Sequence, residues 1–220
     1  MISAHENPVK QVRLFRENNR RTRFLTEEEA ARLLAYCGSY LRPIVITALH
    51  TGFRKSEILS LRWKHVDFRH RLITVEAAYA KNSETRSIPM SDVLTETLKA
   101  IRIHGVLMAP VFLTRDGTPY RDISTAFATA VRRAKISDFT FHDLRHCFAS
   151  RLVMGGVDLT TVKELMGHKH IAMTLCYAHL APGHKRAAIA MLDRHQEKVP
   201  AIFTTDKGET SRTTIQPVEK

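Results

Sequence analysis

Three short segments carry residues able to act on a phosphate. The first is Thr51-Gly52-Phe53-Arg54-Lys55-Ser56-Glu57-Ile58. Its glycine suits the end of one helix, and its arginine falls at the mouth of the next. There a guanidinium works beside the free N–H groups and positive dipole end of a helix N-terminus, which favour an anion. The second is Phe141-His142-Asp143-Leu144-Arg145-His146. His142 and Arg145 are three residues apart, so on a helix they share a face and can converge on one ligand. A histidine beside a guanidinium supplies oxyanion donors without a metal. The third runs from Gly167-His168 to Cys176-Tyr177-Ala178-His179. A phenol with an ordinary pKa of about 10 needs cationic neighbours before it can react near neutral pH.

Each segment alone also fits a plainer reading: an exposed turn arginine, a helix boundary with incidental basic residues, a packed aromatic. Two metal readings stand beside these. A His-Asp pair at 142–143 resembles that of metal phosphohydrolases, but consecutive helix residues point about 100° apart and no matching set of further ligands is visible. His146, His168, His170 and His179 suggest a metal cluster, held weakly because no HExxH spacing and no nearby acidic ligand accompany them.

The elements that must position these residues follow from pattern. Thr26 with Glu29 three residues on forms a capping box, and a helix follows to about Cys37. A second helix, about Leu41 to His50, is almost wholly apolar and so buried; Gly52 ends it, since glycine tolerates a left-handed C-cap. A short helix covers about Lys55 to Leu61. The period then shifts to that of strands: Leu72 to Val75, Ala77 to Lys81, and Arg86 to Pro89 after the turn-rich Asn82-Ser83-Glu84-Thr85. Helices are predicted at Ser91–Ile103, Ile123–Lys135, Phe141–Gly155, Leu159–Met166 and His184–Glu197. In the Phe141 helix, Phe141, Leu144, Phe148 and Leu152 form the expected buried stripe. The layout is mostly α with a small antiparallel β-sheet.

Composition narrows the partner. Lys and Arg number 34 against 22 Asp and Glu, a net charge of +12. That field favours a polyanion, because neutralising phosphates releases condensed counterions. No stretch approaches the roughly 18 apolar residues of a membrane span, and Met1 to Lys10 lacks the apolar core of a secretory signal. Three cysteines, Cys37, Cys147 and Cys176, without a CxxC spacing argue against a disulfide framework or a four-cysteine zinc site. A reducing cytoplasm is the expected setting.

Together the segments resemble the tyrosine recombinase (phage-type integrase) family. The matching residues are Thr-Gly-x-Arg-x-Ser-Glu at 51–57, Lys81 before a turn and Arg86-x-Ile-Pro, His142-x-x-Arg145, and Gly167-His168 followed by Tyr177-Ala178-His179. The resemblance spans about Phe24 to Leu192. It implies the fold of that family's catalytic domain and a site-specific recombinase that cuts and rejoins double-stranded DNA, as in integration or excision of a mobile element. It implies that Tyr177 attacks phosphorus to give a 3′-phosphotyrosyl intermediate. Arg54 and Arg145 would clamp the non-bridging oxygens, and His142 and His168 would add hydrogen bonds, His142 also helping to take the tyrosine proton. Lys81 would protonate the leaving 5′ oxygen, with Lys64 and Lys55 as competitors, and Glu57 would orient its neighbours. No metal or other cofactor is implied. Other protomers on DNA, as a synaptic tetramer, are implied partners. The competing reading is a DNA-binding relative of the same fold that no longer cuts; a type IB topoisomerase would share the chemistry. Residues 1–24 read as a basic arm or linker, 25–198 as the catalytic domain and 199–220 as a polar tail. The family's N-terminal core-binding domain is expected to be absent from this chain, since only about 24 residues precede Thr26.

Overall fold

The computed structural model describes residues 23–76, 85–103, 105–181 and 189. All but Ile189 belong to the first of two units of the chain, which runs to Ala181. Its described residues form seven α-helices: α1 (Glu27–Tyr36), α2 (Leu41–Thr51), α3 (Lys55–Leu59), α4 (Asp92–Ala100), α5 (Ser124–Arg133), α6 (Asp143–Met154) and α7 (Leu159–Met166). Three short strands, β1 (Val66–Asp67), β2 (Leu72–Val75) and β3 (Arg86–Pro89), form an antiparallel sheet in that order. The mostly helical fold with one small antiparallel sheet is the one expected from pattern.

The apolar α2 is the spine. Nine of its eleven residues are buried, and it packs on α6, α4, α3 and α1. Burial on every side is what an all-round apolar helix demands. α1 begins as predicted: Thr26 Oγ1 accepts from the Glu29 N–H while a Glu29 carboxylate oxygen accepts from the Thr26 N–H. The segment leading into it is tied down twice. Arg23 pairs with Glu29 at 2.6 Å, and the Leu25 N–H donates to Cys147 Sγ on α6 at 3.2 Å.

The sheet departs from expectation at its edge. β2 pairs with β3 in the register Ile73↔Ile88 and Val75↔Arg86, and the third strand is Val66–Asp67, opposite Ile73 and Leu72. A two-residue strand carries too little alternation to be read from sequence. The predicted strand at 77–81 lies outside the described residues, as does the predicted helix at 184–197 apart from Ile189, which is helical and exposed. Ile73, Val75 and Ile88 face the core, while Thr74 and Ser87 join by their hydroxyls on the other face at 2.8 Å. Several helices are shorter than their patterns, α4 and α6 among them. α4 stops at Ala100, where the Arg102 N–H closes a tight turn on the Lys99 carbonyl. α6 starts at Asp143 because that carboxylate accepts from the Thr140 N–H and hydroxyl, bending the preceding chain into a turn.

Candidate active site

Two left-handed glycines shape the site. Gly52 ends α2 at φ 62° and Gly167 ends α7 at φ 62°. A side chain at either would be strained in this conformation. It would also collide: a Cβ on Gly52 would stand 2.5 Å from the Phe148 ring, and one on Gly167 2.9 Å from the Arg86 side chain. Between these helix ends lies Arg145, only 3% exposed. One terminal nitrogen donates to the Gly52 carbonyl and the other to the Met166 carbonyl. These carbonyls belong to helix ends that would otherwise lack partners. Arg145 therefore fastens α6 to the ends of α2 and α7, with three of its five N–H donors left for another ligand.

Arg54 follows directly from Gly52 and opens α3. Its guanidinium donates to Glu57 at 2.9 Å, and its backbone N–H donates to the other carboxylate oxygen at 2.8 Å. Arg86, from β3, reaches the same carboxylate at 2.6 Å and lies over the Phe53 ring at 5.0 Å. Burial alone would raise the Glu57 pKa, but the hydrogen bonds and charges of Arg86 and Arg54 outweigh it and the net shift is downward. One buried carboxylate thus orders two guanidiniums, the orienting role expected of Glu57.

Three guanidiniums facing one carboxylate leave a surplus of positive charge. Arg145 shows it: burial first, then the charges of Arg54 and Arg86, bring its pKa down to about 9. His168 shows it too, held down to about 4 by burial and by Arg145 and Arg54. Its Nδ1 lies 3.0 Å from the buried Thr174 hydroxyl. An anion would relieve both residues. Arg54 and His142 together line a cleft of about 340 Å³ with Phe53, Lys55, Thr140 and Phe141. His142 is exposed at the start of α6, whereas Arg145, three residues on, is buried. The two residues, expected to share a face, stand at different depths.

Tyr177 sits in a 3₁₀ helix, Leu175–Leu180, and is 1% exposed. Its ring packs in a small apolar cluster with Phe148, Ala149, Val153, Val162 and Met166. Burial raises its pKa, the neighbouring Cys176 raises it further, and Arg145 opposes. The hydroxyl lies 2.5 Å from His146 Nδ1. Sequence reasoning placed His146 only in a weak metal cluster and looked to His142 for a contact with the tyrosine. The available signal was the i, i+4 spacing of His142 and His146 beside Arg145; the partner 31 residues later leaves no local trace. Arg86 was seen as part of a motif but given no role.

Lys81 lies outside the described residues. Its two competitors are both engaged: Lys64 pairs with Glu76 at 2.6 Å and Lys55 with Asp122 at 2.7 Å. Among the described residues, no three His, Cys, Asp or Glu side chains are grouped to hold a metal ion. No helix among them is long and apolar enough to cross a membrane. None of the three cysteines forms a disulfide.

Comparison with known proteins gives a consistent result. Residues 23–184 match the family described as "Phage integrase family". The integrase of Salmonella phage P22 is 34% identical over 205 residues, 88% of this chain and 51% of that protein. The solved catalytic domain of bacteriophage HP1 integrase is 34% identical, with a TM-score of 0.61 over 76% of this chain and 93% of that one. The Tn1549 transposon integrase, solved in complex with transposon right end DNA, is 25% identical, with a TM-score of 0.65 over 81% of this chain and 68% of that one. The chain spans about half the length of the curated relatives it matches.

Proposed function

Since this chain belongs to the phage integrase family of tyrosine recombinases, we propose that it cuts and rejoins duplex DNA at specific sites, with Tyr177 as nucleophile. The observation that carries the reading is the convergence of Arg54, Arg145, His168 and Tyr177, from four separate segments, around a surplus of positive charge. Such a surplus does for a scissile phosphate what metal ions do in other nucleases: it stabilises charge on the equatorial oxygens as the attacking and leaving oxygens exchange.

In the proposed step the Tyr177 oxygen attacks phosphorus, giving a 3′-phosphotyrosyl link and a free 5′ hydroxyl. Arg54 and Arg145 bind the non-bridging oxygens, with His142 and His168 as further donors. Lys81 protonates the leaving oxygen; the engagement of Lys64 and Lys55 with carboxylates supports that choice over its competitors. Residues 25–198 form the catalytic domain, and other protomers join it on DNA as a synaptic tetramer. Integration or excision of a mobile element is the corresponding task, carried out in the cytoplasm.

The test is covalent capture. A nicked duplex carrying the target site, enriched from random sequence by this chain, should yield a protein–DNA adduct that maps to Tyr177 and forms in EDTA. Tight binding without any adduct would instead make the chain a DNA-binding relative that no longer cuts.

A further inference from the structure

We propose that His146, and not His142, accepts the phenol proton of Tyr177 as that oxygen attacks phosphorus; the inference rests on reading Tyr177 as the nucleophile. His146 touches the reacting atom itself, with Nδ1 2.5 Å from the hydroxyl oxygen and ring centroids 5.8 Å apart. His142 stands one helical turn earlier, its ring edge-on to that of His146 at 5.2 Å. The three residues are graded in depth: His142 exposed at the cleft, His146 half-buried behind it, Tyr177 buried. The phenol therefore meets the site through His146.

The step balances. The bond from Tyr177 oxygen to phosphorus forms, and the bond from phosphorus to the 5′ oxygen breaks. The phenol proton passes to His146 Nδ1, and Lys81 gives its proton to the departing oxygen. The phosphate remains a diester monoanion and His146 becomes an imidazolium, which returns its proton to the phenol when the strand is rejoined.

The charges around the pair set when transfer occurs. Burial lowers the His146 pKa, and His142 and Arg145 lower it further while Asp143 opposes them; His168, at the end of α7, feels the His146 charge in turn. His146 is thus neutral at pH 7 and open to a proton. The Tyr177 pKa is raised, so in the protein without DNA the proton stays on oxygen. A phosphate bound by Arg145 offsets that arginine's share of the lowering. The base gains strength when the substrate is seated.

The experiment compares the wild-type chain with His146→Asn, His146→Ala and His142→Asn in single-turnover adduct formation on the enriched nicked duplex. An asparagine carbonyl reaches about where Nδ1 does, so it keeps the hydrogen bond and loses the basicity. His146→Asn should bind DNA as tightly as the wild type yet slow adduct formation by roughly 10²–10⁴-fold, the usual reach of general acid–base catalysis. The rise in wild-type rate with pH, which reports loss of the imidazole proton, should vanish in both His146 variants and persist in His142→Asn. If His146→Asn keeps both rate and pH profile, His146 only positions the phenol and the proposal is overturned; it is equally overturned if His142→Asn is the variant that loses the rise. Should His146→Asn fail to fold, ¹⁵N shifts of His146 decide: its pKa must rise when Tyr177→Phe binds the same duplex, and no rise overturns the proposal. An absent wild-type adduct, or one that maps elsewhere, would instead remove the nucleophile on which the proposal rests.

Discussion

The arginine half of the site and the tyrosine half are built differently. Glu57 binds Arg54 and Arg86 at once, and Arg145 joins two helix ends. Glu57 and Arg145 therefore each have two polar partners, and Arg54 and Arg86 share the buried Glu57 carboxylate. In the other half His168 meets Thr174, and Tyr177 meets His146 from within a small apolar cluster. Its backbone is two 3₁₀ turns, Ile171–Met173 and Leu175–Leu180, and Ile171, Met173 and Leu175 are exposed. Exposed apolar side chains on short 3₁₀ segments mark the less firmly packed half, although Tyr177 itself is buried. On the proposed function, the charge that would stabilise a transition state is held by more polar contacts than the nucleophile is.

Tyr177→Phe tests the tyrosine half most severely. The adduct should be lost completely while DNA affinity, a property of the arginine half, stays unchanged. A gel shift beside a denaturing gel reads both, and any loss of affinity beyond about twofold, a few tenths of a kcal/mol, would show that the halves are not separable.

Within the arginine half, Arg54→Ala and Arg145→Ala should each slow cleavage by roughly 10²–10³-fold, the cost of one oxyanion donor. They should differ in stability. Arg145→Ala leaves the Gly52 and Met166 carbonyls unpaired, at about 1–3 kcal/mol for each buried acceptor. Arg54→Ala leaves Glu57 still bound to Arg86 and should change the melting midpoint little. Equal losses of stability in urea titrations would contradict the stapling role of Arg145.

The pH dependence isolates His168. Its folded pKa of about 4 lies below the ordinary 6.5, so the folded state favours the neutral ring. The stability this confers is complete above about pH 6.5 and declines as the pH falls towards 4. Its size is roughly 1–2 kcal/mol once solvent screening is allowed for. His168→Gln should flatten the melting temperature across that window; an unchanged slope would assign it to other groups.

The smallest effect concerns Thr174→Val. It removes the partner of His168 Nδ1 without changing volume greatly and should cost about 1 kcal/mol. Hydrogen exchange should then quicken in residues 171–180 and remain slow in α2 and α6. Uniform quickening would mean that the tyrosine half is as firmly built as the arginine half.

The two halves were also unequally legible in the sequence. Apolar α2, the capping box at Thr26 and Glu29 and the glycines after two helices are local signals, and the structure carries each of them. Four of the six expected site residues, Arg54, Arg145, His168 and Tyr177, converge, and His142 lines the adjoining cleft; Lys81 lies outside the described residues. What local pattern could not supply were pairings across the chain. Arg86 on β3 meets Glu57 on α3 across 29 residues of chain, and His146 meets Tyr177 because α6 packs on the 3₁₀ segment. The depth of Tyr177 was likewise hidden, since a nucleophile and a core tyrosine look the same in sequence.

On the proposed function, the depth of Tyr177 bears on accuracy. A chain of net charge +12 meets arbitrary DNA far more often than its target, because phosphate attraction ignores sequence. Each encounter brings phosphates to the cleft that Arg54 and His142 line. A phenol that is 1% exposed is withheld from those encounters, so they end in dissociation without a nick. Finding DNA and damaging it become separate events, and the discrimination of the second multiplies that of the first.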